Sequence, residues 1–150
     1  MITYKVEIHD NGTVIYFNQD DKLHRLDGPA YERKDGYKSW WLNGTLHRLD
    51  GPAIEYPDGT KEWRLNGKLH RLDGPAIECA NGDKWWYQNN KRHRLDGPAF
   101  VCADGYKECW ECWIEGKYYT EEQFHAKIQS MNRPCQGKKI VVDGVEYTLT

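Results

Sequence analysis

HRLDGPA stands at residues 24–30, and again, unchanged, at 47–53, 70–76 and 93–99. The copies open on His24, His47, His70 and His93, a constant step of 23 residues. Seven identical residues recurring in register make the chain a repeat array, in which each unit cannot bury its apolar face alone and relies on its neighbours.

Between the copies runs a second pattern, clearest in HRLDGPAIEYPDGTKEWRLNGKL, residues 47–69. Asp58-Gly59 and Asn66-Gly67 are turn signals flanked by strand-forming residues. A two-residue turn at Asp58-Gly59 sets Ile54 opposite Trp63 and Tyr56 opposite Lys61. Because side chains alternate along a strand, Ile54, Tyr56, Trp63 and Leu65 then share one face, with Lys61 the lone charge among them. Ala53, Glu55, Glu62 and Arg64 share the other, as in an antiparallel sheet with one wet side. The same folding pairs Tyr31 with Trp40 and Ile77 with Trp86, and aligns Glu32, Glu55 and Glu78 on the wet face. Hairpin turns are expected at Asn11-Gly12, Asp35-Gly36, Asp58-Gly59, Asn81-Gly82 and Asp104-Gly105. Leu-Asp-Gly-Pro-Ala reads as the corner between hairpins, since Pro fixes its own φ and donates nothing to a ladder. Leu26, Leu49, Leu72 and Leu95 are expected to point inward there, and the row Trp40, Trp63 and Trp86, flanked by Tyr16, to be core.

The ends depart from the pattern. Residues 1–23 read as a degenerate first repeat, with Asn11-Gly12 at the turn and Tyr16 where later copies carry Trp. The fourth copy changes after Asp104-Gly105, with three residues inserted before Glu115-Gly116. Thr120 followed by Gln123 is a capping box, and Phe124, Lys127, Ile128 and Met131 give a partly apolar helical stripe that Pro134 ends. Asp143-Gly144 marks a further hairpin. The fold class is therefore an all-β array of stacked 23-residue antiparallel hairpins over 1–117, in an elongated sheet, with a helix-plus-hairpin cap over its open end at 118–150.

Composition narrows the function classes. The 150 residues carry a net charge of −2 with no long run of one sign, which gives little pull on nucleic acid or anionic membrane. No stretch is long and apolar enough to span a bilayer, and the N-terminus lacks the apolar core of a signal peptide. Five Cys, an odd number, fit reduced thiols and a cytoplasmic setting. Cys79 and Cys102 occupy the same repeat position, roughly 10 Å apart if each repeat adds two strands. That is too far for a disulfide between them, so both are expected as core thiols.

The unit DGPAxExxDGxKxWxxNGKL resembles the MORN repeat in the variant form common in phages, large DNA viruses and some bacteria, over roughly residues 1–117. The resemblance implies an elongated single-layer sheet of hairpins. It also implies a scaffold, a dimerisation surface or a ligand for another protein, and hence a phage or viral accessory factor, such as an inhibitor of a host defence, working in the host cytoplasm.

Three sets of residues are candidates for chemistry. The pairs His24-Arg25, His47-Arg48, His70-Arg71 and His93-Arg94 present cations that suit a small phosphorylated or nucleotide ligand. Alternatively, each Arg pairs with the Asp two residues on, or with the Asp of the next repeat, and forms a structural charge ladder, the reading that fourfold repetition favours. Trp41, Trp85 and Trp110 fall on the nominally wet face, and with Trp113 are candidates for anchoring a protein partner. Cys109 and Cys112, with His125 and Cys135, have part of the spacing of a zinc site, although positions i and i+3 of a strand face opposite ways. No nucleophile–base pair, Gly-rich phosphate loop or HExxH is present, so neither an enzyme nor a cofactor is expected. The reading is a binding protein with a protein partner, compatible with a homodimer. Its alternatives are a sponge for a phosphorylated signal at the His-Arg corners and a structural assembly component.

Overall fold

The structure, a computed structural model, describes residues 4–105, 111–132, 139–142 and 145–148. The chain divides into compact units at Met1–Tyr118 and Tyr119–Thr150.

The first unit is all β, with strands β1 (Lys5–Ile8), β2 (Val14–Phe17), β3 (Tyr31–Glu32), β4 (Lys38–Ser39), β5 (Trp41–Leu42), β6 (Thr45–Leu46), β7 (Ile54–Glu55), β8 (Lys61–Glu62), β9 (Arg64–Leu65) and β10 (Lys68–Leu69). It continues through β11 (Ile77–Glu78), β12 (Lys84–Trp85), β13 (Tyr87–Gln88), β14 (Lys91–Arg92), β15 (Phe100–Val101), β16 (Cys112–Ile114) and β17 (Lys117–Tyr119). The copies that open on His24, His47 and His70 each contribute two hairpins. The first joins one continuous antiparallel sheet in the order β1-β2-β3-β4-β7-β8-β11-β12-β15. The second forms a separate two-stranded ladder, β5-β6, β9-β10 or β13-β14, as β16-β17 does in the fourth copy. The single residue between them, Trp40, Trp63 or Trp86, is where the chain leaves one ladder for the other. Its N–H donates to the buried corner alanine of the next repeat, Ala53, Ala76 or Ala99.

The two turn types explain this division. Asn66 and Gly67 have φ of +50° and +77°, the pair of left-handed residues a two-residue type I′ hairpin needs, and Asn43-Gly44, Asn89-Asn90 and Glu115-Gly116 repeat it. The turns at Asn11-Gly12, Asp35-Gly36, Asp58-Gly59 and Asn81-Gly82 form where expected but hold three residues, while at Asp104-Gly105 the Gly105 N–H bonds the Cys102 carbonyl and the returning strand lies outside the described residues. The Tyr56 N–H reaches the Thr60 carbonyl at 2.9 Å and the Gly59 N–H returns to the Tyr56 carbonyl at 3.0 Å. Only Gly59, φ +92°, is left-handed there.

That extra residue moves the register by one, and a one-residue slip turns every side chain of the returning strand over. Ile54 therefore faces Glu62, not Trp63, and Lys61 faces Glu55. The facing pairs expected for Tyr31 with Trp40 and Ile77 with Trp86 shift likewise, to Ser39 and Trp85. Lys61 leaves the apolar face and completes an alternating ladder on the wet one: Glu32, Lys38, Glu55, Lys61, Glu78 and Lys84, each opposite the next. Opposite charges facing across strands favour this register over its neighbours. On the other face stand Tyr31, Ser39, Ile54, Glu62, Ile77, Trp85 and Phe100. Glu62 is tolerated in that row because Arg64 Nε donates to it at 2.8 Å and the Tyr56 hydroxyl at 3.1 Å. Trp85 and Phe100 stack with ring centroids 3.8 Å apart.

Among the described residues of the array, the buried ones are Ala30, Ala53, Ala76 and Ala99 at zero exposure, with Thr13, Ser39, Ile54, Cys112 and Ile114. The Trp row is half-buried rather than core, and the corner leucines are exposed, the reverse of expectation. Cys79 is a half-buried thiol whose pKa burial pushes up. Cys102, expected to match it, is disulfide-bonded instead; the repeat spacing bars a bridge to Cys79 but not to another cysteine.

In the second unit, helix α1 (Glu121–Met131) begins at the Thr120–Gln123 capping box and buries Phe124. Strands β18 (Lys139–Val142) and β19 (Val145–Thr148) pair antiparallel. Pro134 and Asp143-Gly144 lie outside the described residues.

Candidate interaction surface

Six of the seven residues in HRLDGPA have an intramolecular task. The His Nδ1 accepts the backbone N–H of the next type I′ turn: His24 from Asn43 at 3.1 Å, His47 from Asn66 and His70 from Asn89 at 3.3 Å, and His93 from Glu115 at 3.1 Å. The three-residue insertion before Glu115 leaves this contact in place. The Arg backbone N–H donates to the neighbouring short ladder, Arg48 to the Arg64 carbonyl at 3.2 Å and Arg71 to that of Tyr87 at 3.2 Å.

Each guanidinium lies over an aromatic ring of the preceding repeat. Arg25 stands 4.1 Å from the Tyr16 centroid, Arg48 4.0 Å from Trp40, Arg71 4.0 Å from Trp63 and Arg94 3.9 Å from Trp86. Nε donates to the Asp two residues on, at 2.9, 3.0, 3.0 and 2.8 Å for Asp27, Asp50, Asp73 and Asp96. Nη1 donates to the carbonyl of Pro29, Pro52, Pro75 or Pro98. Two guanidinia also reach the wet-face ladder, Arg48 at Glu55 and Arg71 at Glu78. The glycine makes room: a Cβ on Gly51 would stand 2.8 Å from Arg48 Cζ. The Arg–Asp hydrogen bond holds the Asp27, Asp50, Asp73 and Asp96 carboxyls below the ordinary carboxylate value.

The guanidinia are committed, with side chains only 21–22% exposed, whereas the aspartates that cover them are 72–84% exposed. Solvent meets carboxylates, with the cations beneath. The leucine is the seventh residue, and it projects outward at 59%, 83%, 76% and 42% exposure for Leu26, Leu49, Leu72 and Leu95. Between successive corners runs a groove whose lining includes a Trp and the Arg that lies over it. One groove lies between Leu26 and Leu49 at Trp40, the next between Leu49 and Leu72 at Trp63, and a third beside Leu72 at Trp86. Sequence reasoning missed the leucines because it assigned apolar residues to the inside. Their strict recurrence was the visible signal.

Of the other candidates, the described tryptophans are engaged within the array. Trp41 donates to Ser39 Oγ at 2.8 Å, Trp85 stacks on Phe100, and Trp113 donates to Glu111 at 2.8 Å, so all three are half-buried and engaged within the array. Trp110, Cys109 and Cys135 lie outside the described residues. Cys112 is buried in β16, while His125 on α1 is exposed beside Glu121, 3.9 Å away. Among the described residues no group of three His, Cys, Asp or Glu side chains is placed to hold a metal, and no helix is long and apolar enough to cross a membrane. Comparison with known proteins gave no matching family model and no matching curated relative.

Proposed function

We propose that the chain is a non-enzymatic repeat scaffold that offers an extended surface to a protein partner. The observation that carries this reading is the polarity of the corners. A receptor for a phosphorylated ligand needs cations open to solvent, whereas here each guanidinium is mostly covered and already bonded to an Asp and a Pro carbonyl over an aromatic ring. An anion approaching the corners meets Asp27, Asp50, Asp73 and Asp96 first. Regular exposed leucines, by contrast, are the kind of apolar surface that marks a protein contact. The resemblance of the repeat to the MORN variant supports the same reading, and with it a phage or viral accessory role against a host protein.

Thermal melting in millimolar nucleotides and cyclic dinucleotides tests it. The scaffold reading expects no shift for the wild type. A nucleotide that raises the melting temperature of the wild type and not of Arg48→Ala overturns it in favour of a sponge.

A further inference from the structure

We infer that the strip of exposed leucines and aspartates at the corners is a docking site for a basic amphipathic helix of a partner protein. The inference rests on the scaffold reading and specifies its surface and its partner.

Repeat identity is the first support. The copies have diverged wherever the fold allows: the residue at Thr60 is Tyr37 and Asp83 in the neighbouring copies, and that at Arg64 is Trp41 and Tyr87. Within HRLDGPA, the constancy of His, Arg, Asp, Gly, Pro and Ala follows from contacts inside the array. The leucine makes the opposite case, since Leu49 is 83% and Leu72 is 76% exposed, yet neither has been exchanged for a polar residue. An apolar side chain retained in water at four equivalent positions is explained by something that covers it in the same way each time.

Spacing selects the shape of that occupant. Each repeat adds two strands to the sheet, so successive leucines and the grooves between them recur about every 10 Å. An extended strand offers residues i and i+3 at about that distance, but on opposite faces. An α-helix advances about 10.5 Å in seven residues and returns to nearly the same face. Apolar residues at heptad spacing therefore bring one to each groove, between the ridges formed by Leu26, Leu49 and Leu72.

Charge selects its chemistry. The outermost charged groups along the strip are the Asp27, Asp50, Asp73 and Asp96 carboxylates. A helix flanking its apolar stripe with lysine or arginine is complementary to that row. A second copy of this strip is not, because it would set aspartates against aspartates.

The test uses the full chain and a fluorescent synthetic peptide of about 22 residues, helical, with leucines at heptad positions and lysines beside them. Three controls accompany it: the same composition with the leucines moved off the heptad, a glutamate version, and a proline-rich peptide of matched charge. The heptad lysine peptide is expected to bind by fluorescence anisotropy, more weakly as salt rises. Binding should fall about tenfold or more in Leu49→Ser/Leu72→Ser, a loss typical of removing central anchors. That variant should melt at the wild-type temperature, since both leucines are exposed. Equal binding of the off-heptad or proline-rich peptide, undiminished binding by the leucine variant, or no binding of the heptad peptide overturns the helix proposal. The scaffold reading is separately at stake. Proteins cross-linked equally by the wild type and the leucine variant would preserve it while placing the contact on another face.

Discussion

Arg71 lies over Trp63 with the guanidinium carbon 4.0 Å from the ring centroid, although the ring belongs to one repeat and the cation to the next. The same guanidinium is hydrogen-bonded to Asp73, the Pro75 carbonyl and Glu78, so one side chain ties the corner, the ring and the charged ladder together. Four such clamps hold an array whose fully buried residues, among those described, are alanines and a serine. Packing between repeats therefore depends on cation–aromatic contacts more than on a deep hydrophobic core.

Arg71→Ala should destabilise the array by about 1–3 kcal/mol, the sum of a lost cation–π contact and charge-assisted hydrogen bonds at a half-buried site. Asp73 is already exposed and is not stranded by the change, which keeps the cost below that of breaking a buried ion pair. Arg71→Lys should recover little, because an ammonium cannot cover Trp63 while bonding Asp73 and Pro75. Denaturant melts of the three proteins measure this; full recovery by Lys would show that charge alone matters.

Gly51 and Arg48 should be coupled. A Cβ on Gly51 meets Arg48 Cζ at 2.8 Å, so Gly51→Ala has to lift the guanidinium from the Trp40 face. In the wild type the change should cost about as much as Arg48→Ala, and in an Arg48→Ala background almost nothing. A double-mutant cycle should return a coupling energy of about 1–2 kcal/mol. Additive costs would mean that Gly51 is required by its own backbone.

Leu49→Ala should change stability by less than about 0.5 kcal/mol, as at other exposed positions, whereas Trp63→Ala should cost about 2–4 kcal/mol by removing the ring under Arg71. The sequence placed both side chains inside, and only the tryptophan is partly so. Turn positions were legible because Asn66-Gly67 and Asp58-Gly59 carry residues that accept positive φ. Turn length was not, since Asp-Gly serves two- and three-residue loops alike and the left-handed glycine looks the same in both. One residue of loop then decided the faces of Lys61, Glu62 and Trp63. The Arg–Asp pairs were legible from their spacing of two. The Arg–Trp contacts were not, because Arg71 and Trp63 are separated by a corner whose path sequence does not specify. Leu49 escaped because a single exposed leucine obeys no rule; apolar residues are common on surfaces.

Acid should weaken the clamps. Asp50 titrates below its ordinary value of 3.8, chiefly because Arg48 donates a hydrogen bond to its ionised form. A depressed carboxylate contributes stability that is whole above 3.8 and is lost as pH falls through the lower folded-state value. Asp27, Asp73 and Asp96 shift the same way, so the four losses coincide. The wild type should therefore lose stability below 3.8 more steeply than Asp50→Asn/Asp73→Asn, with the difference reduced in high salt because the carboxylates are exposed. Parallel pH–stability curves would remove the aspartates from the acid response.

At alkaline pH the sensitive group is Tyr56. Burial, and then the Glu62 carboxylate 3.1 Å from its hydroxyl, push its pKa from 10.0 up to about 12. A phenol that holds its proton more tightly when folded contributes stability that is complete below 10 and disappears as pH rises from there to about 12. Unfolding monitored across that window should show the wild type losing stability faster than Tyr56→Phe, which has no proton to release. Tyr56→Phe should in turn be somewhat less stable near neutrality, because Glu62 loses one of its two donors and keeps only Arg64. In Glu62→Gln the phenol should titrate closer to 10 but stay raised, since burial is the larger cause. The phenolate absorbance of the wild type minus that of Tyr56→Phe follows this one titration among the ten tyrosines. A difference spectrum that titrates at the ordinary value in the folded protein would mean that the Tyr56 hydroxyl stands in water, away from Glu62.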